Sequence, residues 1–357
     1  MRAVVYRGIN DMRVETVPVP RIGPGEILVK IATCGICGTD LKKIHFGSHS
    51  APRIFGHEMA GTIAAIGSEV STFAVGERVM VFHHVPCAEC YYCRKGTPAQ
   101  CPLYKKTGVT AGFEPSGGGF AEYIRVMDFV VANGGVVRIP DGVPLEQAAF
   151  VEPVNTVLKG VKLLNLEGDD SVLVIGQGPI GLMHAVLASR IAGKVLTSDL
   201  YPERHAIAAQ YGLKHPIHAG TENVLERVLA ETEGRGADAV ILAVGGTALI
   251  QTAIDAARPG GKVMLFAQTQ HGEASFDPAA VCVDEKTLLG SYSSSFGILD
   301  EVTDLVFGGY RHGFDLTRLI SHRFAIDEAL AAIDVASHPK ADSMKIMIEP
   351  VPGGGAA

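Results

Sequence analysis

The sequence predicts an α/β protein in which a small β-barrel domain is joined to a doubly wound parallel sheet. Three observations lead to this expectation. Short runs rich in β-branched residues, interrupted by Gly and Pro, fill the first part of the chain up to Val126. Strands and helices alternate from Ser171 onward, which is typical of a parallel sheet. A glycine-rich turn at 176–181 joins the first of these strands to a helix.

The overall composition narrows the class of protein. The chain has 357 residues, a length that suggests roughly two domains. Its net charge is −7 and no basic stripe stands out, which argues against a nucleic-acid partner. No apolar run reaches about 18 residues, so a membrane-spanning helix is not expected. The N-terminus lacks the apolar segment of a signal peptide, and we therefore expect a cytoplasmic protein.

The expected elements follow from these patterns in chain order. Strands of the barrel are expected at 3–6, 13–17, 26–31, 61–66, 78–82 and 121–126. A helical stretch at 145–164 marks the change of pattern. The parallel sheet is expected from strands at 172–175, 194–198, 237–243 and 262–266, with helices at 179–191, 203–211, 224–231 and 248–257. Beyond Gly290 the pattern predicts helices at 299–307 and 327–336 and a last strand at 345–348.

A stretch rich in metal-binding side chains lies between Cys34 and Glu58. It reads CGICGTD, then a short loop, then FGHE, and it brings Cys37 and His57 close to Glu58. Zn²⁺ accepts sulfur, imidazole and carboxylate ligands, and three protein ligands leave one position open for water or substrate. A satisfied buried histidine and plain core cysteines are the alternatives. The set as a whole favours a catalytic metal at Cys37 and His57.

Glu152 is a further candidate ligand. It lies where the barrel pattern gives way to the helical pattern, so its carboxylate is expected to face a cleft between domains, where ligand sites are common. The residues do not decide between Glu58 and Glu152. Cys34 and Cys282 lack partners at ligand spacing and are expected to be structural. By the same reasoning, five histidines are expected to be ordinary surface or core residues: His83, His84, His184, His215 and His218.

Four cysteines with the spacing CxxCxxCx7C form a second candidate metal site. Four thiolates complete a tetrahedral zinc shell with no open position, which indicates a structural ion. An iron–sulfur cluster is the alternative, although the following ferredoxin-type run is absent. Four unliganded thiols are the other alternative. We expect a structural zinc that staples a loop, held by Cys87, Cys90, Cys93 and Cys101.

The turn Gly176-Gln177-Gly178-Pro179-Ile180-Gly181 is a GxGxxG motif that follows a buried strand and opens a helix. Its glycines permit a tight turn and a close approach of a pyrophosphate to the helix N-terminus. Asp199 ends the next strand, where a carboxylate accepts hydrogen bonds from ribose hydroxyls and repels a 2′-phosphate, which favours NAD over NADP. Arg204 is a counter-signal, because an arginine there can accommodate that phosphate. An ordinary turn with a solvated aspartate is the alternative.

Taken together, these motifs resemble those of the zinc-dependent medium-chain dehydrogenase/reductase family, in its sorbitol and threonine dehydrogenase branch. The similarity covers nearly the whole chain, through CGICGTD, GHEMAG, GERV, the cysteine lobe, GGFAEY, VEP, IGQGPIG and the ending HRF…MKIMIEP. The resemblance implies a GroES-like catalytic domain at 1–153 and 292–357, split around a Rossmann domain at 154–291. It also implies NAD-dependent oxidation of a secondary alcohol or polyol by a homodimer or homotetramer.

The resemblance also assigns the zinc ligands. It implies a catalytic zinc held by Cys37, His57 and one or both of Glu58 and Glu152, and a structural zinc on the four cysteines.

Other residues receive supporting roles. The Thr39 hydroxyl would start the relay that removes the substrate proton. Asp40 would hydrogen-bond His57 and fix its tautomer. Phe120 matches a position of the family that lines the substrate pocket, and Lys345 matches a basic position near the pyrophosphate.

The chain departs from the family pattern at two positions. The family commonly has a histidine five residues after the zinc cysteine, where this chain has Lys42. Lys42, His45 or water would then complete the relay. Polyol dehydrogenases of this type carry an arginine near the position of Ser293, and its absence removes a strong hydrogen-bond donor. The resemblance therefore predicts the family more firmly than it predicts sorbitol or threonine as the substrate.

Three other functions stay open. The first is an amino-alcohol dehydrogenase similar to L-threonine 3-dehydrogenase. The second is a non-catalytic protein that binds the cofactor, although such a protein is expected to lack Cys37 or His57, and both are present. The third is a zinc-free reductase of the quinone or enoyl type, which would not need CGICGTD or Glu152.

Overall fold

The computed structural model describes residues 1–47, 49–107, 118–267 and 272–350. The Cα positions divide the chain into two units, one of Met1–Asn155 with Ser294–Ala357 and one of Thr156–Ser293. We call them the β-rich unit and the parallel-sheet unit. The first unit ends at 155 where the sequence predicts 153, and it resumes at 294 where the sequence predicts 292.

The strands of the described residues are numbered in chain order. They are β1 (Arg2–Gly8), β2 (Asp11–Thr16), β3 (Ile27–Gly35), β4 (Arg53–Ile54), β5 (Glu58–Ile66), β6 (Arg78–Val81), β7 (Tyr123–Val126), β8 (Val136–Arg138), β9 (Ser171–Ile175), β10 (Lys194–Asp199), β11 (His215–His218), β12 (Ala237–Leu242), β13 (Ala257–Leu265), β14 (Thr287–Gly290), β15 (Ile320–Ala325) and β16 (Lys345–Glu349).

The α-helices are numbered in the same way. They are α1 (Gly38–Phe46), α2 (Tyr91–Arg94), α3 (Pro102–Thr107), α4 (Asp128–Ala132), α5 (Leu145–Ala149), α6 (Val151–Leu164), α7 (Pro179–Ala188), α8 (Pro202–Gln210), α9 (Val224–Glu231), α10 (Ile250–Ala256), α11 (Ala279–Cys282), α12 (Leu299–Thr303), α13 (Gly309–Arg311) and α14 (Ala329–Ser337). The predicted single helix at 145–164 is thus two helices, because Phe150 ends α5. None of these helices combines the length and apolar character needed to cross a bilayer.

In the β-rich unit, a seven-stranded sheet runs in the order β15-β16-β3-β5-β6-β8, and β7 also pairs with β3. A second sheet has the order β2-β1-β4. Strands β3 and β5 are antiparallel, with Gly35 opposite Glu58. Strand β16 joins β3 from the other side, with Met347 also opposite Gly35. The end of β3, the start of β5 and the middle of β16 therefore meet where the chain carries its candidate metal ligands.

The parallel-sheet unit contains one sheet in the order β11-β10-β9-β12-β13-β14, and every neighbouring pair is parallel. Counted from β9, this order is 3-2-1-4-5-6, which is that of dinucleotide-binding folds. The central strand β9 is buried along its whole length, as expected when helices cover both faces of a sheet. The predicted α/β class, with one unit built on a doubly wound parallel sheet and another rich in β-strands, is confirmed.

Candidate metal centre and dinucleotide-binding turn

Three predicted ligands come together where β3, β5 and β16 meet. One ligand atom from each of Cys37, His57 and Glu58 lies within 4.8 Å of the other two. Cys37 directly precedes α1, and Glu58 begins β5. His57 is only 5% exposed and Glu58 only 1%. A thiol, an imidazole and a carboxylate at such short separations form a donor set that suits Zn²⁺.

Two glycines allow this close approach. Gly56, directly before His57, has φ +95°, and a Cβ there would lie 2.6 Å from the Phe120 ring. A Cβ on Gly35 would overlap the carboxylate of Glu58. There is therefore no room for a side chain at Gly56, in the turn before His57, or at Gly35, on the strand opposite Glu58.

Asp40 orients His57. Its carboxylate is fully buried, its Oδ2 accepts from the Cys37 backbone N–H at 3.2 Å, and its Oδ1 lies 3.2 Å from His57 Nδ1. No hydrogen bond to His57 Nδ1 is found among the described residues, so the contact is mainly electrostatic. Burial raises the pKa of Asp40, but the His57 charge outweighs it and lowers the pKa to about 2. With Nδ1 turned to Asp40, the other nitrogen, Nε2, is free to coordinate a metal, and Thr39 Oγ1 lies 3.4 Å from it.

Lys345 balances the buried charge of Glu58. Its Nζ forms an ion pair with Glu58 Oε2 and donates to the Ile36 carbonyl at 3.1 Å. Burial lowers the pKa of Lys345, but Glu58 outweighs it, so the net shift is upward. Glu58 Oε1 is buried without a hydrogen-bond partner among the described residues, as expected of an atom that awaits a cation. The sequence predicts Lys345 near a pyrophosphate, whereas the contacts found here join it to the donor cluster.

Glu152 lies beside this cluster rather than in it. It is 5% exposed in the first turn of α6, and its Oε1 is 3.6 Å from His84 Nδ1. Burial raises the pKa of Glu152 to about 7, with His57 opposing and Glu58 adding to the rise. Glu58 is thus the carboxylate that meets the thiol and imidazole, and Glu152 is a close neighbour that shares their electrostatic environment.

His83 and His84 border the same site, although the sequence predicts them to be ordinary surface or core residues. The ring centroids of His57 and His83 are 5.3 Å apart, and those of His83 and His84 are 3.7 Å apart. Burial lowers the pKa of His83 well below its ordinary value, and His84 and His57 add to this effect. The signal that could have found them is strand pairing. Because Ala60 is opposite Met80 in antiparallel β5 and β6, the residues after β6 run beside His57.

The proposed relay residues differ in their surroundings. His45 Nδ1 lies 2.6 Å from Asn10 Oδ1, and its Nε2 lies 2.8 Å from Ser337 Oγ. Both nitrogens of His45 are therefore engaged, and the suggestion that His45 completes the relay is not supported. Lys42 lies on α1 and is partly exposed.

The four-cysteine lobe brings its sulfurs together. All four lie within 4.8 Å of one another, with Sγ–Sγ distances of 3.4 Å for Cys90–Cys93, 3.6 Å for Cys87–Cys101 and 4.0 Å for Cys87–Cys93. Zinc–sulfur bonds of about 2.3 Å in a tetrahedron require sulfurs about 3.8 Å apart, so the geometry fits a structural zinc. Burial raises the pKa of Cys101, but N–H donation from Cys87 and neighbouring backbone outweighs it and lowers the pKa to about 7.

The glycine-rich turn of the parallel-sheet unit has the shape of a phosphate cradle. Gly176 has φ +95°, and a Cβ on Gly181 would overlap the Gly176 carbonyl, so the turn and α7 pack too closely for side chains. A Cβ on Gly178 would meet nothing within 4 Å. Gly178 is also the N-cap of α7 and Pro179 opens the helix, so no side chain covers its first N–H groups. This open helix N-terminus fits a pyrophosphate.

Asp199 ends β10 beside this turn. Its Oδ2 accepts from the Gln177 N–H at 2.7 Å, and its Oδ1 accepts from the Tyr201 N–H at 3.0 Å. Arg204 Nη1 lies 3.3 Å from the same Oδ2, and its guanidinium lies 4.9 Å from the Tyr201 ring centroid. The acid that would bind a ribose is therefore held by the backbone and partly neutralised by Arg204. Ile180 lies in the first turn of α7.

The two residues predicted to line the substrate pocket have other visible contacts. Phe120 is fully buried in the core of the β-rich unit and packs against the Gly56 turn. Ser293 has φ +62°, a strained value for a residue with a side chain, and its carbonyl accepts from Lys159 Nζ at 3.4 Å. Their roles in a pocket stay predictions. Cys34 is buried, as expected, and Cys282 is exposed.

Comparison with known protein families gives two matches. Residues 23–141 match the model described as "Alcohol dehydrogenase GroES-like domain". Residues 179–307 match the model described as "Zinc-binding dehydrogenase".

Individual proteins are similar over nearly the whole length. Sorbitol dehydrogenase from Bacillus subtilis is 30% identical over 98% of this chain and 97% of its own. L-Threonine 3-dehydrogenase from Rhizobium rhizogenes is 32% identical over 88% of each. The solved structure of the alcohol dehydrogenase TADH from Thermus sp. ATN1 has a TM-score of 0.84 and 31% identity, covering 98% of this chain and 99% of that one. A proposed zinc-binding dehydrogenase from Sinorhizobium meliloti 1021, bound to NADP, has a TM-score of 0.86 and 29% identity, with the same coverage.

Proposed function

Because this chain belongs to the zinc-dependent medium-chain dehydrogenase family, we propose that it oxidises a secondary alcohol or a polyol and transfers the hydride to NAD. It is a zinc-dependent oxidoreductase of the alcohol and polyol class. The observation that carries the proposal is the buried set of Cys37, His57 and Glu58 in a chain that also has a GxGxxG turn. A protein that only bound the cofactor would have no use for these donors.

The metal chemistry would act through the substrate hydroxyl. Zinc held by Cys37, His57 and Glu58 would act as a Lewis acid that makes the hydroxyl proton easier to remove. Asp40 keeps His57 in the orientation that presents Nε2. Lys345 forms a buried ion pair with Glu58 and offsets its charge. We propose Glu152 as an alternative ligand, since it is buried next to the same donors.

The proton leaves by way of Thr39. Its hydroxyl is 3.4 Å from His57 Nε2, so it borders the position where a substrate oxygen would bind. A hydroxyl can accept one proton while donating another, which suits the first member of a relay. With a lysine at position 42 and His45 engaged elsewhere, we propose that water carries the proton onward.

The cofactor would bind at the glycine-rich turn. A nicotinamide bound there would supply the acceptor for the hydride from the alcohol carbon. The pyrophosphate would lie at Gly178 and the N-terminus of α7, and Asp199 would accept the ribose hydroxyls. The carboxylate of Asp199 favours NAD, while its pairing with Arg204 reduces the repulsion of a 2′-phosphate. NAD is therefore the proposed cofactor, and NADP is the alternative to test. We further propose a cytoplasmic homodimer or homotetramer, on family resemblance.

The experiment is a substrate panel with NAD and NADP side by side. Zinc-loaded protein is assayed on polyols, amino alcohols and simple secondary alcohols by the absorbance of the reduced nicotinamide. We expect oxidation with NAD preferred, and loss of activity in Cys37→Ser and His57→Ala together with loss of one of two bound zinc ions. Cys282→Ser is the matched control, because this exposed thiol lies outside both clusters. Full activity in Cys37→Ser would refute the proposal.

An amino-alcohol substrate is the second candidate. It is favoured by the 32% identity to L-threonine 3-dehydrogenase from Rhizobium rhizogenes. The same panel separates the two candidates, since a preference for amino alcohols over polyols would select the second.

A further inference from the structure

The proposed reaction assigns no role to His83, a buried histidine beside the metal donors. His83 is 5% exposed, and its Nδ1 has no hydrogen-bond partner among the described residues. Buried polar atoms in folded proteins are nearly always paired, so an exception marks a place where a ligand or water binds. His83 is outside the donor set, so this nitrogen is not needed to hold the metal.

The surroundings of His83 place it next to the donors. Its ring centroid lies 5.3 Å from that of His57 and 3.7 Å from that of His84. His84 Nδ1 lies 3.6 Å from Glu152 Oε1. The charges of His57 and Glu58 act on Glu152, and they shift its pKa in opposite directions. These side chains therefore form one continuous group of polar residues beside the metal donors.

We infer that His83 determines which alcohols this site accepts, by hydrogen-bonding a second polar group on the carbon next to the one that is oxidised. The inference rests on the proposed oxidation of an alcohol at Cys37, His57 and Glu58. A neutral imidazole donates from one nitrogen and accepts on the other, so a hydroxyl or an amine is a suitable partner. Vicinal diols and amino alcohols satisfy Nδ1 of His83, whereas a simple secondary alcohol leaves it unpaired.

Such a hydrogen bond gives strong selectivity. A site built to hydrogen-bond a substrate group rejects an analogue without that group far more strongly than an apolar pocket can. The ring packing between His83 and His84 does not depend on nitrogen atoms, so an apolar ring of similar size preserves the wall and removes only the hydrogen bond. This separation makes His83 testable without dismantling the metal site.

The test uses two matched pairs of alcohols that differ by one polar group. They are 2,3-butanediol with 2-butanol and 1-amino-2-propanol with 2-propanol. In the zinc-loaded enzyme with its cofactor, we expect kcat/KM to be about tenfold or more higher for the polar member of at least one pair. In His83→Phe this ratio should fall by about tenfold, mainly through KM, and the affinity for the polar alcohol measured by calorimetry should fall with it. His83→Gln, which keeps a donor and an acceptor, should retain part of the ratio.

His338→Phe is the control, because this exposed histidine follows the last residue of α14, lies outside the donor set and should leave both rates unchanged. A ratio near one in the wild type, or an unchanged ratio in His83→Phe, overturns the inference. If His83→Phe fails to fold, His83→Leu replaces it as the variant without a hydrogen-bonding side-chain atom. A ratio that falls toward one then supports the inference, and a ratio equal to that of the wild type overturns it. If the loaded wild type turns over no alcohol at all, the proposed function fails and the inference with it, an outcome recognised by the absence of activity on both members of each pair.

Discussion

His184 offers a test of how much a buried, unpaired imidazole costs this fold. It lies on α7, is fully buried, and neither ring nitrogen has a hydrogen-bond partner among the described residues. Its ring meets Phe266 edge to face at 4.3 Å between centroids. Burial lowers the pKa of His184 to about 3. We predict that His184→Leu, which removes both polar atoms and keeps the volume, stabilises the protein.

The magnitude follows from the contacts. Each buried donor or acceptor without a partner costs about 1–3 kcal/mol. The edge-to-face contact with Phe266 stabilises the wild type by about 0.5–1.5 kcal/mol and is lost in the variant. The changed side-chain shape costs up to about 1.5 kcal/mol, because His184 Cε1 lies close to Gly160, where a Cβ would be 3.0 Å away. With two unpaired nitrogens, the middle of these ranges gives a net gain of about 2 kcal/mol in the free energy of unfolding at neutral pH.

The pH dependence gives a sharper test. The pKa of His184 is about 3 in the folded protein and 6.5 in the unfolded chain. The unfolded chain therefore binds the extra proton between these values, and stability is full above 6.5 and falls as pH is lowered toward 3. At about 1.4 kcal/mol per pH unit, this single group costs about 2 kcal/mol at about pH 5. His184→Leu lacks this loss, so its advantage over the wild type should widen by that amount.

The assay is urea unfolding followed by circular dichroism, since the chain has no tryptophan. It is run at about pH 7.5 and about pH 5, which bracket the pKa of the unfolded histidine. His338→Leu is the control, because an exposed histidine should change the unfolding free energy by less than about 0.5 kcal/mol. A His184→Leu protein that is less stable than the wild type, or whose advantage is the same at both pH values, would show that a bound water or a missed partner satisfies the ring.

Three further predictions concern the two metal clusters and the turn. Asp40→Asn should lower zinc affinity or kcat/KM about 10–100-fold while the circular dichroism spectrum stays unchanged, because it removes the charge that orients His57; wild-type kinetics would contradict this. Gly181→Ala should unfold at a lower urea concentration, because its Cβ overlaps the Gly176 carbonyl. Gly178→Ala has open space around its Cβ, so it should keep its stability and lose affinity for NAD, measured by calorimetry. Equal stability of the two variants would refute the packing argument. Cys101→Ser should lose one zinc per chain by elemental analysis and destabilise by more than the ~0.5–3 kcal/mol of ordinary substitutions, an effect that retained zinc would exclude.

Local patterns in the sequence predict the parts of the fold that depend on neighbours along the chain. The glycine-rich turn, the strand before it and the helix after it are contiguous, so spacing and side-chain size are enough to place them. The sequence does not predict strand β11, because its four residues, His215-Pro216-Ile217-His218, include a proline and only one residue of high β-propensity. It forms because β10 offers a paired edge, which is information from outside the segment.

The candidate site shows the same division. Cys37 and Glu58 are recognisable from ligand type and spacing, whereas the contact of Lys345 with Glu58 depends on how β16 pairs with β3. The approach of His83 to His57 likewise depends on the register of β5 and β6. Residues brought together only by strand pairing leave no periodic signal, which is why a reading of spacing assigns them to surface or core.

The late position of β16 has a consequence for how the protein is made. Lys345 reaches the carbonyl of Ile36 across 309 positions of the chain, and it supplies the cation that offsets the buried Glu58. During translation, Cys37, His57 and Glu58 are synthesised long before this lysine. The whole parallel-sheet unit is synthesised in between. Until the last strand arrives, the ligand-bearing strands have an open edge and an uncompensated carboxylate. We therefore expect the enzyme to acquire its catalytic ion after translation rather than during it.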